Sequence, residues 1–145
     1  VVHGSAALTL AKALTVYEAF GEADVPDDGQ RYFVVSPAGW ADLLQIDQFS
    51  RAEYVGETDL PYAGGMTAKR WLGFLWFTHS GLSISSTTRD CHAYHSSSVG
   101  LATGSDVRTE MNYVPEKVSN LITSYFSAGS VMIDNDGAIE CQITE

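Results

Sequence analysis

Arg31–Phe49 reads RYFVVSPAGWADLLQIDQF. The stretch opens on Tyr32-Phe33-Val34-Val35, an aromatic and β-branched run. It turns at Ser36-Pro37 and then takes helical spacing through Trp40, Leu43 and Leu44 as far as the acidic break at Asp47. A nearly continuous apolar run ended by a turn predicts a strand over 31–36, inside a sheet covered on both faces. Ser36 suits an N-cap and Pro37 a first helical turn, so the spacing predicts a helix over 37–46. Val34 and Val35 are expected inside the sheet. Trp40, largely buried, and Leu44 are expected to pin the helix to it.

Upstream, Leu10, Ala13, Leu14, Tyr17 and Phe20 share one face of a helix predicted over 8–20. Ser5 or Thr9 can cap it, and Gly21 can stop it. Residues 22–30 form a turn-rich connector carrying Val25-Pro26 and Asp28-Gly29. Downstream, residues 47–54 read as a short helical or irregular piece anchored by Phe49 and Tyr54. From Val55 to Ala68 the periodicity collapses. Val55, Gly56, Glu57, Thr58, Asp59, Leu60, Pro61, Tyr62, Gly64 and Gly65 are the candidate contact residues, because loops of about this length usually carry function.

In the second half, Arg70–Phe77 (RWLGFLWF) reads as a core strand with Gly73 as a bulge. Cys91–Leu101 reads as another strand, and the alternation of Val107, Thr109, Met111 and Tyr113 as a half-buried one. Pro115–Phe126 (PEKVSNLITSYF) carries Val118, Leu121, Ile122 and Tyr125 at helical spacing behind a first-turn proline, which predicts a helix. Asp134-Asn-Asp-Gly137 then predicts a hairpin joining Val131–Ile133 to Ala138–Thr144. The expected class is α+β, a central mixed sheet flanked by helices.

Composition narrows the function. The 145 residues carry 8 basic and 18 acidic side chains, a net charge of −10. That balance argues against a sequence-independent grip on nucleic acid. Cys91 and Cys141 are the two cysteines, too few for a disulfide framework, and read as free thiols of a reducing compartment. No apolar run approaches the ~20 residues of a membrane span. The start at Val1-Val2-His3 reads as a cut or processed end of a longer chain. Cys91, His92 and His95, with His79 upstream, are the sharpest metal candidates. His92 and His95 fall on opposite faces of a strand, however, which spoils joint ligation. A hydrolase would pair a serine with His79, His92 or His95 and an acid, but no G-x-S-x-G elbow exists. Phosphate-loop and dinucleotide glycine motifs are absent, and Asp134-x-Asp136-Gly137 lacks the later ligands of a calcium loop. The residues therefore favour a structural or interaction role without a cofactor or metal. A non-catalytic binding module, or a fragment of an enzyme whose active site lies elsewhere, is the alternative.

The ordered set of motifs goes further. A helix over 8–20, Val25-Pro26, R-x-F-V-V-S-P-x-x-W-x-x-L-L over Arg31–Leu44 and D-Q-F-S-R-A-E-Y-V-G over Asp47–Gly56 together resemble the major capsid proteins of tailed bacteriophages. So do G-F-x-W at Gly73–Trp76, A-Y-H-x-x-x-V-G-L-A at Ala93–Ala102, P-E-K-V-x-N-L-I at Pro115–Ile122 and Y-F-S-A-G-S-V-M-I-D at Tyr125–Asp134. The resemblance covers about Leu8–Ile143. It implies a shell protein of a phage or prophage that assembles in the host cytoplasm into an icosahedral virion capsid enclosing DNA. Its partners would be other copies of itself in capsomers, a scaffolding protein and a maturation protease, with no specific nucleic acid and no membrane. It also implies one capsid-like domain over 1–145. About 8–128 would form an axial-type lobe and 129–145 the return strands of a truncated peripheral lobe, the N-terminal arm, extended loop and spine helix being absent. The loop Val55–Ala68 would then point toward the capsomer axis as an inter-subunit loop.

Overall fold

The computed structural model describes residues 6–50 and 68–145. The chain divides into two compact units, one of Val1–Ser98 with Asp134–Glu145 and one of Val99–Ile133. In chain order the elements are α1 (Leu10–Glu22), β1 (Arg31–Val35), α2 (Pro37–Leu44), α3 (Asp47–Ser50), β2 (Ala68–Trp71), β3 (Phe74–Thr78), β4 (Ile84–Ser85), β5 (Thr88–His95), β6 (Val99–Val114), β7 (Ser119–Met132) and β8 (Ala138–Thr144). The first unit is a six-stranded mixed sheet of order β2-β3-β1-β5-β4, with β8 also paired to β5. Only β1 and β3 run parallel; the other pairs of this sheet are antiparallel. The expected α+β class with a central mixed sheet is the class observed.

The opening stretch folds as its residues dictate. Ser36 caps α2, its Oγ accepting the Gly39 N–H at 3.0 Å, and Pro37 stands in the first turn. Phe33 and Val35 point into the core, while Tyr32 and Val34 are half-buried on the other face. This corrects the expectation of a strand covered on both faces, since β1 alternates as a one-sided strand does. Tyr32 covers part of the outer face by stacking on Tyr94 of β5 at 5.5 Å. Trp40 and Leu44 pack against the core but stay partly exposed, and Leu43 and Gly39 are the buried residues of α2.

The core combines α1, α2, α3, β1, β3, β5 and β8. Phe20, Phe33, Phe49, Phe74 and Trp76 are its large buried aromatics. Phe33 stacks flat on Trp76 at 4.0 Å, and Phe20 meets Phe74 edge-on at 5.2 Å. The α1 helix presents Ala13, Val16 and Phe20 to this core, leaving Leu14 and Tyr17 exposed. The buried stripe is thus rotated from the one expected, because Val16 and not Tyr17 takes the inward position. Thr9 is the cap, and the helix runs past Gly21 to Glu22. A buried cation fixes the connector that follows. Arg31 donates to the Val25 and Pro26 carbonyls, lies 5.7 Å above the Phe20 ring and has the Asp27 carboxylate at 4.0 Å, so backbone, π-face and carboxylate together meet its charge.

Four further expectations are corrected. Arg70–Phe77 is a hairpin, β2–β3, and not one bulged strand. Leu72 and Gly73 both have positive φ, 50° and 75°, as a two-residue hairpin turn matching strand twist requires. The strand expected over 91–101 ends at His95, and Ser96–Ser98 form a 3-10 turn before β6. The helix expected over 115–126 is a 3-10 turn, Pro115–Lys117, followed by the strand β7. Its β-branched and aromatic residues lose side-chain freedom in a helix, and pairing with β6 offers them a strand instead. The hairpin expected between Val131–Ile133 and Ala138–Thr144 does not form, because β7 pairs with β6 and β8 returns to β5. The two units divide after Ser98 and after Ile133.

The chain's last residues are tied to its first described ones. Thr144 N–H donates to the Ala6 carbonyl at 3.1 Å, and the Lys12 ammonium bridges the Ala6 and Gln142 carbonyls. Glu145 accepts from the Ser36 hydroxyl and from Arg89, the latter at 3.0 Å. Ser36 thus serves the α2 cap and the chain end together. Ser36→Ala is expected to cost about 1–2 kcal/mol in urea unfolding, as loss of a helix cap does. The Arg89 hydrogen bond, and secondarily that of Ser36, hold the Glu145 carboxyl below its ordinary value of 4.5. A depressed folded value contributes stability above pH 4.5 that is lost as pH falls through the folded value. Unfolding midpoints measured from pH 6 down should therefore fall less steeply for Glu145→Gln than for the parent, and equal slopes would contradict the coupling.

Candidate functional site

The inter-subunit loop expected at Val55–Ala68 lies outside the described residues, apart from Ala68, which opens β2. Among the described residues the surface that stands out is the second unit. There β6 and β7 form a two-stranded antiparallel ribbon. Strands of 16 and 14 residues exceed the usual length, and a lone two-stranded ribbon is marginal in water. Every residue of β7 is exposed.

Register sorts the outer half of the ribbon into two unlike faces, since opposed residues share a face and neighbours alternate. One face carries the pairs Arg108–Tyr125, Glu110–Thr123 and Asn112–Leu121. It carries the charged side chains beside the exposed Leu121, and the Tyr125 hydroxyl donates to Glu110 at 3.1 Å. The other carries Thr109–Ser124, Met111–Ile122 and Tyr113–Asn120. This second face holds no charge. Met111 is 68% and Ile122 62% exposed, and Val107 and Phe126 beside them are exposed too. Toward the base, β-bulges interrupt the register between Thr103 and Arg108. At the tip Val118 adopts the left-handed conformation, φ 49°, unusual for a β-branched residue. The sequence alternation at Val107–Tyr113 correctly marked a strand, but the face it expected to be half-buried is open.

The chemical candidates disperse. Cys91 faces the core while His92 points outward, and His79 is an exposed residue whose Nδ1 accepts the Gly81 N–H. Among the described residues no group of three or more His, Cys, Asp or Glu side chains is gathered to hold a metal ion. His95 does bridge a serine and an acid. Its Nδ1 lies 2.7 Å from Ser97 Oγ and its Nε2 3.1 Å from Asp28. The Ser97 backbone N–H also points at Nδ1, which makes that nitrogen the acceptor and Nε2–H the donor to Asp28. Asp28 additionally accepts from the Gln30 N–H at 2.9 Å. These bonds, that of His95 first, keep its carboxyl below the ordinary 3.8. The arrangement fastens the Asp28-Gly29 turn to the end of β5. An open depression between residues 7–10 and Asp42, Gln45 and Ile46 is mainly apolar, and its carboxylate Asp42 is engaged by the Leu8 N–H at 3.2 Å. No helix among the described residues is long and apolar enough to cross a membrane.

Comparison with known proteins supplies the context for the open ribbon and the sheet unit. The family model described as phage capsid protein matches residues 1–145. No curated protein matches. Among solved structures, a chain of Mycobacterium phage Che8 is similar, with a TM-score of 0.74 and 19% identity over 96% of this chain and 51% of that one. The capsid structure of cyanophage P-SCSP1u is similar with a TM-score of 0.66 and 19% identity, over 90% of this chain and 45% of that one. The chain therefore spans about half the length of these two structures. With the family model matched from its first residue to its last, the chain belongs to the phage capsid protein family.

Proposed function

We propose that this chain is all or part of a major capsid protein whose copies meet in capsomers of the icosahedral shell around the DNA of a tailed phage or prophage. The observation that carries the reading is the uncharged face of the β6–β7 ribbon, on which Met111, Ile122, Val107 and Phe126 stand exposed. Apolar faces of this kind mark protein contact surfaces. In a chain of net charge −10, like copies repel except where neutral surface meets neutral surface. The family match and the mixed-sheet unit agree with a shell subunit, which needs rigidity and lateral contacts.

The Val55–Gly65 segment, outside the described residues, is the proposed contact with other copies. Assembly takes place in the host cytoplasm with a scaffolding protein and a maturation protease as transient partners. The gene product that contains this sequence, expressed and viewed by negative stain, should give rings, sheets or shells. A discrete monomer at every concentration would overturn the reading. Met111→Glu with Ile122→Glu should cut assembled material by roughly tenfold or more, since burying an unpaired charge in an interface is costly. Circular dichroism and near-ultraviolet spectra of the sheet unit should stay unchanged, which separates lost assembly from lost folding.

A further inference from the structure

Cys91 and Cys141 are register partners in the antiparallel pair β5–β8. Both are free thiols and both are completely buried. The flanking bonds His95 N–H to Gly137 O and Glu145 N–H to Thr87 O, each 2.9 Å, lie an even number of residues away. They make Cys91–Cys141 a hydrogen-bonded pair, for which the Cα separation is about 5.5 Å. That value falls inside the span a disulfide bridges, and directly opposed side chains leave the sheet on the same face. We propose that Cys91 and Cys141 are a reversible redox pair, closing to a cross-strand disulfide within one chain.

The chain between them contains the whole ribbon unit, Val99–Ile133. The bond closes a loop of about 50 residues, a length at which cross-linking constrains the unfolded chain strongly. It would lock the two strands from which the ribbon departs and to which it returns. Opposed Cβ atoms at such a site must draw together by about 1 Å to reach disulfide spacing, which strains the bond and keeps it reducible. The chemistry is thiol–disulfide exchange with a small disulfide such as oxidised glutathione. One thiol loses its proton and attacks a glutathione sulfur, releasing one reduced glutathione. The second thiol, losing its proton, displaces the other glutathione and forms the Cys91–Cys141 bond. Burial pushes the Cys91 thiol up to about 11 and raises Cys141 as well. Few thiolates exist at neutral pH, so closure is slow there and accelerates as pH rises.

The test treats the native protein with oxidised glutathione at pH 7 and pH 9, and in a second arm refolds the denatured chain in a glutathione redox buffer. Intact mass and peptide mapping read the products. The expected product is one chain lacking two hydrogens, with Cys91 linked to Cys141. It should form faster at pH 9 and melt about 5–10 °C higher than the reduced form. Dithiothreitol should reverse both changes, and Cys91→Ser or Cys141→Ser should abolish them. The refolding arm distinguishes a thiol pair the oxidant cannot reach from one whose geometry forbids the bond. Free thiols in both arms, mixed disulfides as end products, links only between chains, or a cross-linked chain without the native circular dichroism spectrum would each overturn the proposal.

Discussion

Phe33 lies flat on Trp76 across β1 and β3, ring centroids 4.0 Å apart and planes within 10°. The rest of the sheet unit depends on this contact. A parallel pair cannot be closed by a tight turn and needs a long crossover, here α2, α3, residues 51–67 and β2. The loop-closure cost of that crossover is offset only when the strands meet in register and bury their aromatics. An aromatic pair is worth about 0.5–1.5 kcal/mol beyond its buried area. Phe74, Phe20, Phe49 and Trp71 extend the cluster through edge-on and tilted contacts. The parallel pair thereby becomes the floor on which Phe20 of α1 packs, while Phe49 of α3 rests on Trp71 of β2.

Two cations are built into this floor. Arg31 is buried among Phe20, Phe74 and the carbonyls of residues 25 and 26. Lys69 is buried over the Phe49 ring and donates to the Phe49 carbonyl. Each takes backbone oxygens that turns would otherwise leave unsatisfied inside the protein. Both cations therefore fix where an irregular segment meets the sheet, a task that an apolar residue of the same size cannot perform.

The strand–turn–helix at Arg31–Leu44 was legible because three local signals agree there, namely the apolar run, the Ser36 cap and the Pro37 first turn. The residues from Pro115 to Phe126 misled because Val118, Leu121, Ile122 and Tyr125 fit helical spacing while the partner that makes them a strand lies in β6. A short apolar run does not distinguish the two. Leu72-Gly73 misled for a related reason, since a leucine at positive φ gives no turn signal and Gly73 alone reads as a bulge. The open ribbon face could have been suspected from the alternation at Val107–Tyr113, but alternation says only that the two faces differ. Whether the apolar one is covered depends on what packs against it. The cross-strand placement of the cysteines depends on which strand β8 joins, and that pairing with β5 leaves no trace in local pattern.

The bond from Thr144 N–H to the Ala6 carbonyl, with Lys12 clamping Ala6 to Gln142, brings the first and last described residues side by side. The sheet unit thus has a common doorway. Any polypeptide before Ala6 and after Glu145 leaves from one place and need not straddle the fold. Such a unit is suited to circular permutation. Its old ends could be joined by a short linker and new ones opened within the exposed residues Asp134–Asp136, with the β1–β3 stack and the β5–β8 pairing left as they are.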